Sequence, residues 1–177
     1  MGPNFNPKKY EFNEHKEFDV NLIIIDPGVR DMCKANACGQ YGTNHMCPPA
    51  LKDIDAWKKE INTYKEGLII TKIYSTNGPF DINTWLEAMA DFQKRLIRLK
   101  KDILKDTPEQ RLLLLGAGAC RLCKICALTN GKPCLFPGDA FPSLEACGID
   151  VMTLSRRVGV KYNNGKNTIT YIGAVLH

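Results

Sequence analysis

Three cysteines, Cys120, Cys123 and Cys126, are each separated by two residues, and Cys134 follows in a proline-flanked loop. Thiolates at such gaps can wrap one corner of a cubane cluster, each reaching a different iron. Tetrahedral zinc sites are usually built otherwise, from two separated cysteine pairs or from one pair and two histidines. The spacing therefore favours an iron–sulfur cluster over zinc, and either over inert core thiols. The stretch GAGACRLCKICALTNGKPCLFPGDAFPSLEACGID, residues 116–150, holds five of the eight cysteines in the chain.

A second group lies upstream, where Cys33, Cys38 and Cys47 are separated by four and eight residues. Gly39 and Gly42 between them allow the positive φ that a loop wrapping a ligand needs. Cys47 precedes Pro48 and Pro49, and in ferredoxins a Cys-Pro supplies a ligand to a cluster whose other thiolates come from a distant run. Two layouts follow. In the first, Cys120, Cys123, Cys126 and Cys134 hold one [4Fe-4S] cluster, while Cys33, Cys38 and Cys47 hold another whose last iron is open or otherwise ligated. In the second, Cys47 crosses over to complete the downstream group. The spacing favours the first, with His45 as a candidate extra ligand, although a lone loop histidine is more often solvent-facing. Cys147 reads at least as well as a small buried residue as it does as a ligand.

Taken together, CGQYG and CPP at the front and GAGACRLCKICA, PCLFP and PSLEACGIDV behind resemble a family of uncharacterised predicted metal-binding proteins found in anaerobic bacteria and methanogenic archaea. The resemblance runs from about Val29 to Val160. It implies that Cys33, Cys38, Cys47, Cys120, Cys123, Cys126 and Cys134 are metal ligands, does not extend to Cys147, and implies no particular reaction.

Three functions fit these residues. The first is electron transfer or redox chemistry through fully cysteine-ligated clusters. The second is a cluster-dependent enzyme whose trio Cys33, Cys38 and Cys47 leaves an iron free for substrate, with sulfur transfer or desulfuration the reaction to try first. The third is a zinc-stabilised binding module that works through a basic helix; few histidines and little aromatic interleaving weigh against it and against nucleic acid.

The elements that must carry these thiols are legible in outline. Residues 1–16 lack periodicity and read as an irregular arm ahead of one domain spanning residues 17–177. The run NLIII at 21–25 is a short buried strand or the last turn of an element, after which Asp26-Pro27 caps a helix that delivers Cys33. Ile54, Trp57, Ile61 and Tyr64 recur at helical spacing up to Gly67, and the strand LIITKIYS follows. The longest helix starts near Asp81, with Trp85, Met89, Phe92, Leu96, Leu99 and Ile103 as a core stripe. On another face Lys94, Arg98, Lys101 and Lys105 form a basic row, read as a solvated surface.

RLLLLGAGA is a buried strand running into the main cysteine motif, its small residues suiting close backbone approach to a cluster. A helix then opens near Pro142 or Ser143, and Asn163 to Lys166 reads as the turn of a terminal hairpin. Helices alternating with strands predict an α/β fold: a single domain with a small mixed sheet, flanking helices and two cysteine-rich cluster-binding loops.

The composition agrees with a cofactor protein of ordinary size. With 177 residues the chain suits one domain, and its net charge of +5 permits an acidic partner such as a ferredoxin without demanding one. No apolar run reaches the length of a membrane span and no secretion signal follows Met1, so a cytoplasmic protein is expected, with no membrane partner. In that reducing compartment eight cysteines point to metal or redox chemistry rather than disulfides.

Overall fold

In the computed structural model, which describes residues 6–177, an aspartate side chain opens each of the four α-helices. Asp26 caps α1 (Pro27–Lys34), Asp53 caps α2 (Ile54–Ile61), Asp81 caps α3 (Ile82–Asp106) and Asp150 caps α4 (Val151–Val158). Each carboxylate accepts a backbone N–H of the first turn, at 2.7 to 3.2 Å. A cap of this kind satisfies a donor that the helix leaves open and favours the positive end of its dipole.

Four strands form one sheet: β1 (Glu14–Asp19), β2 (Glu66–Ser75), β3 (Leu113–Leu115) and β4 (Thr168–Leu176), in the order β1-β2-β4-β3. All three pairings are antiparallel, so the α/β class expected from the sequence holds while the expected mixture of strand directions does not. Helices cover both faces. Leu68, Ile70, Tyr171 and Val175 point to α3 and meet Phe92, Leu96 and Leu99. Ile69, Ile172, Ala174 and Leu176 point the other way, onto Trp57 and Ile61 of α2 and Leu154 of α4. Burial on both faces is why β2 and β4 read as nearly unbroken apolar runs.

Four local expectations change. Of the stretch read as an irregular arm, residues 1–5 lie outside the described residues, and the remainder holds a 3-10 turn at Pro7–Tyr10 and the first residues of β1. The NLIII run is a 3-10 turn at Val20–Leu22 and a single bridge from Ile25 to Ile149. The helix expected from Ser143 is interrupted: Glu145–Cys147 is a 3-10 turn, Gly148 adopts φ +82°, and α4 starts afresh from Asp150. The terminal hairpin does not form. β4 already has β2 on one side and β3 on the other, and no edge is left for residues 160–163, where Val160 folds back beneath α4 with its N–H on the Ser155 carbonyl, 2.9 Å away.

Candidate metal centre

Both cysteine groups lie in loops where regular structure stops. α1 ends at Lys34, one residue past Cys33, and the chain then circles through Cys38 to Cys47. Asn36 organises this circle, its side chain accepting the Tyr41 N–H at 2.9 Å and its carbonyl the Gly39 N–H at 2.9 Å. Gly39 and Gly42 have φ of +68° and +72°, the backbone freedom expected of them. The Gly42 N–H closes the loop onto the Pro48 carbonyl, 2.8 Å away.

The second loop leaves β3 through Gly116. Its small residues answer to side chains of the protein: a methyl group on Gly116 would run into the Phe141 ring at 2.4 Å, and Gly118, at φ +68°, sits against Met89.

Cys120, Cys123, Cys126 and Cys134 come together on the wall of one small pocket of about 20 Å³. Cys33, Cys38 and Cys47 line a different and much larger cavity of about 610 Å³, bounded by α3, Tyr171 and Glu145. The two groups lie near one another, Cys120 adding to the rise of the Cys47 thiol. All eight cysteines are free thiols. Among the described residues no three His, Cys, Asp or Glu side chains converge on a point where a single metal ion would be held.

Burial pushes the thiols of Cys33, Cys47 and Cys120 above their ordinary range, and neighbouring cysteines push each further in the same direction. Groups of this kind bind metal only with release of protons. Asn44 works against the burial of Cys47 by donating its side-chain N–H to the Sγ at 3.3 Å. The donor set fits a soft metal centre: four thiols share the smaller pocket and no carboxylate lines it.

His45, a candidate extra ligand for the trio, stands instead with the four-thiol group. Its Nε2 lies 2.9 Å from the Lys132 carbonyl, tying the two loops together. Cys147 is wholly enclosed in the core that α2 and α4 share, and burial raises its thiol strongly.

Several positioning residues carried no recognisable sign in the sequence. Gln93, buried on α3, donates to the Ala119 carbonyl at 2.7 Å and accepts the Arg121 N–H at 2.9 Å, holding the backbone on both sides of Cys120. Its one signal is a polar side chain four residues after Met89, on the edge of the apolar stripe. Arg30, buried on α1 one turn before Cys33, reaches the Ala146 carbonyl at 2.8 Å and the Lys52 carbonyl at 3.1 Å. The basic row is also partly engaged. Lys101 pairs with Asp139 at 2.7 Å and neighbouring Lys100 donates to the Gly138 carbonyl at 2.9 Å, pinning the loop beyond Cys134.

A two-faced antiparallel sheet carrying two cysteine loops at one end describes an α/β protein with a thiol-rich centre. The chain belongs to a family described as predicted metal-binding proteins (DUF2284), whose model matches residues 16–177. No curated protein and no solved structure matches it. Among the described residues, no helix is long and apolar enough to cross a membrane.

Proposed function

We propose that the protein is an iron–sulfur protein in which Cys120, Cys123, Cys126 and Cys134 hold a [4Fe-4S] cluster used in electron transfer. The observation that carries this reading is the gathering of those four thiols, from a run spaced for a cubane, around one pocket free of carboxylates. Such a cluster, when bound, supplies reversible one-electron chemistry. The chain's own part is to hold and shield it. Gln93 fixes the backbone beside Cys120, and Leu122, Ala127 and Ala140 furnish apolar walls.

Ile125, Leu135 and Phe136 are exposed around the same loop, interspersed with the exposed Lys124 and Lys132. An apolar patch with a basic surround suits an acidic redox protein such as a ferredoxin.

A specific observation favours a second reading for the upstream trio. Cys33, Cys38 and Cys47 line a cavity that admits a small molecule, and no fourth thiol lines it. Three ligands and an open cavity are the arrangement for a cluster that binds substrate at an iron, as in sulfur transfer or desulfuration.

Iron and acid-labile sulfide, quantified on anaerobically purified protein, test both readings. About four of each per chain is expected for one cluster and about eight for two. Cys123→Ser is expected to lose the downstream cluster. A colourless protein with stoichiometric zinc, or full iron and sulfide in Cys123→Ser, overturns the assignment.

A further inference from the structure

The larger cavity has walls of two characters. Trp85, Leu86 and Met89 from α3 and Ile169 and Tyr171 from β4 make part of the wall apolar, and the three thiols belong to the same lining. The Tyr171 hydroxyl is already donated to the Trp85 carbonyl at 2.7 Å, and burial pushes its pKa up to about 12. The residue therefore offers the cavity a neutral ring. At about 610 Å³ the space lies within the range of sites for small organic molecules, and a mostly apolar lining with a few polar groups is the usual pattern of such sites.

Among the described residues, Arg121 is the only cation on the wall. Its backbone N–H is held by Gln93, yet among the described residues its exposed guanidinium has no ion pair and no hydrogen bond. Other arginines here are engaged: Arg95 binds Asp91 and Glu11, and Arg30 binds two carbonyls. Glu145 also lines the cavity, but its carboxyl is hydrogen-bonded by Ser143 and burial disfavours its charged form, so it offers an anion little repulsion.

We infer that this cavity binds a small organic carboxylate, with its apolar body between Trp85, Met89 and Tyr171 and its carboxylate on Arg121. A lone guanidinium fork matches a planar carboxylate in a bidentate manner, whereas phosphate sites ordinarily add backbone amides or further cations. The inference deepens the substrate-site reading of the Cys33, Cys38 and Cys47 group and rests on it for any reaction, but not for binding.

The test is calorimetric titration of anaerobically purified, iron-quantified protein with phenylpropionate, phenylpropanol and phenylpropylamine. Phenylpropionate is expected to bind at least about tenfold more tightly than the alcohol and the amine, the scale of one hydrogen bond to a charged group. Arg121→Gln is expected to bring the acid and the alcohol to within about twofold of one another, with the alcohol's own affinity kept. Leu86→Trp, which occupies part of the apolar side of the cavity, is expected to weaken binding of both the acid and the alcohol at unchanged iron content. Absence of binding to iron-loaded protein, an acid preference that survives Arg121→Gln, or affinities for both probes left unchanged by Leu86→Trp overturns the inference. Binding with this pattern to protein without iron would sustain it while sinking the cluster reading; iron-loaded protein that ignores all three probes would do the opposite.

Discussion

Gln93 shows how much of a metal centre can depend on a side chain that never touches metal. Its amide bridges the backbone before and after Cys120, so replacing it by leucine leaves the buried Ala119 carbonyl without a partner, while the part-buried Arg121 N–H can turn to water. A buried group left in this way costs about 1–3 kcal/mol. Gln93→Leu is accordingly expected to lower stability by an amount in that range, read by chemical denaturation, and to speed iron loss to a chelator. Cys147→Ala makes the contrasting case. Cys147 is fully buried in the core and lines neither thiol-lined pocket. That variant is expected to keep its iron and sulfide and to lose roughly 1 kcal/mol of stability, typical of a small core truncation.

At the same scale the sequence disclosed the thiols and hid their supports. Cysteine spacing is local, so it survives in one dimension. The hydrogen bonds of Gln93 and Arg30 join residues 22 or more positions apart, and no local pattern encodes them. The glycines of GAGA were legible as places of close approach, but what approaches them, Phe141 and Met89, is a matter of tertiary packing.

Among the elements, α4 offers a clean test of electrostatics. The Thr153 N–H and hydroxyl hold the Asp150 carboxyl below its ordinary range. A depressed carboxyl contributes stability that is complete above the usual aspartate range, near pH ~4, and is lost as pH falls through the lower folded-state value. Asp150→Ala is therefore expected to cost about 1 kcal/mol at neutral pH. The gap between the two proteins should close as the solution is acidified below that range, as followed by urea denaturation at several pH values. A gap that stays constant would show that the cap acts through something other than its charge.

Helix α3 was the most legible element because its stripe of apolar residues repeats over 25 residues. Even so, the stripe divides: Phe92, Leu96 and Leu99 are wholly buried, while Trp85 and Met89 turn out to line a cavity. Phe92→Ala is expected to cost about 3–5 kcal/mol, and thermal unfolding of that variant measures it. The hairpin and the Ser143 helix give way for two different reasons. The strand-forming run yields to β3, which claims the edge of β4, and the helix-forming run yields to Gly148, which breaks the turn after Cys147.

Over the whole molecule, the two apolar cores and the thiol-lined pockets are nearly separate. None of the seven candidate ligands belongs to either core cluster, and the sheet is held by contacts between β2, β4 and α3 that do not pass through the cysteine loops. Removing metal with a chelator should then loosen the loops without dissolving the sheet. Hydrogen exchange is expected to accelerate in residues 35–50 and 118–140 and to stay slow in β2, β4 and the middle of α3. Global loss of protection would show that the metal holds up the entire fold, as it does in zinc fingers.

The strand that emerges after all the others, β4, takes an inner place, with β2 to one side and β3 to the other. During synthesis the sheet is therefore split until the ribosome has delivered Thr168–Leu176, although every cysteine is already outside or close behind. For that interval the thiols have loops but no scaffold to hold them apart. A cell that loads this protein with metal must either wait for that strand or guard eight reactive sulfurs until it arrives.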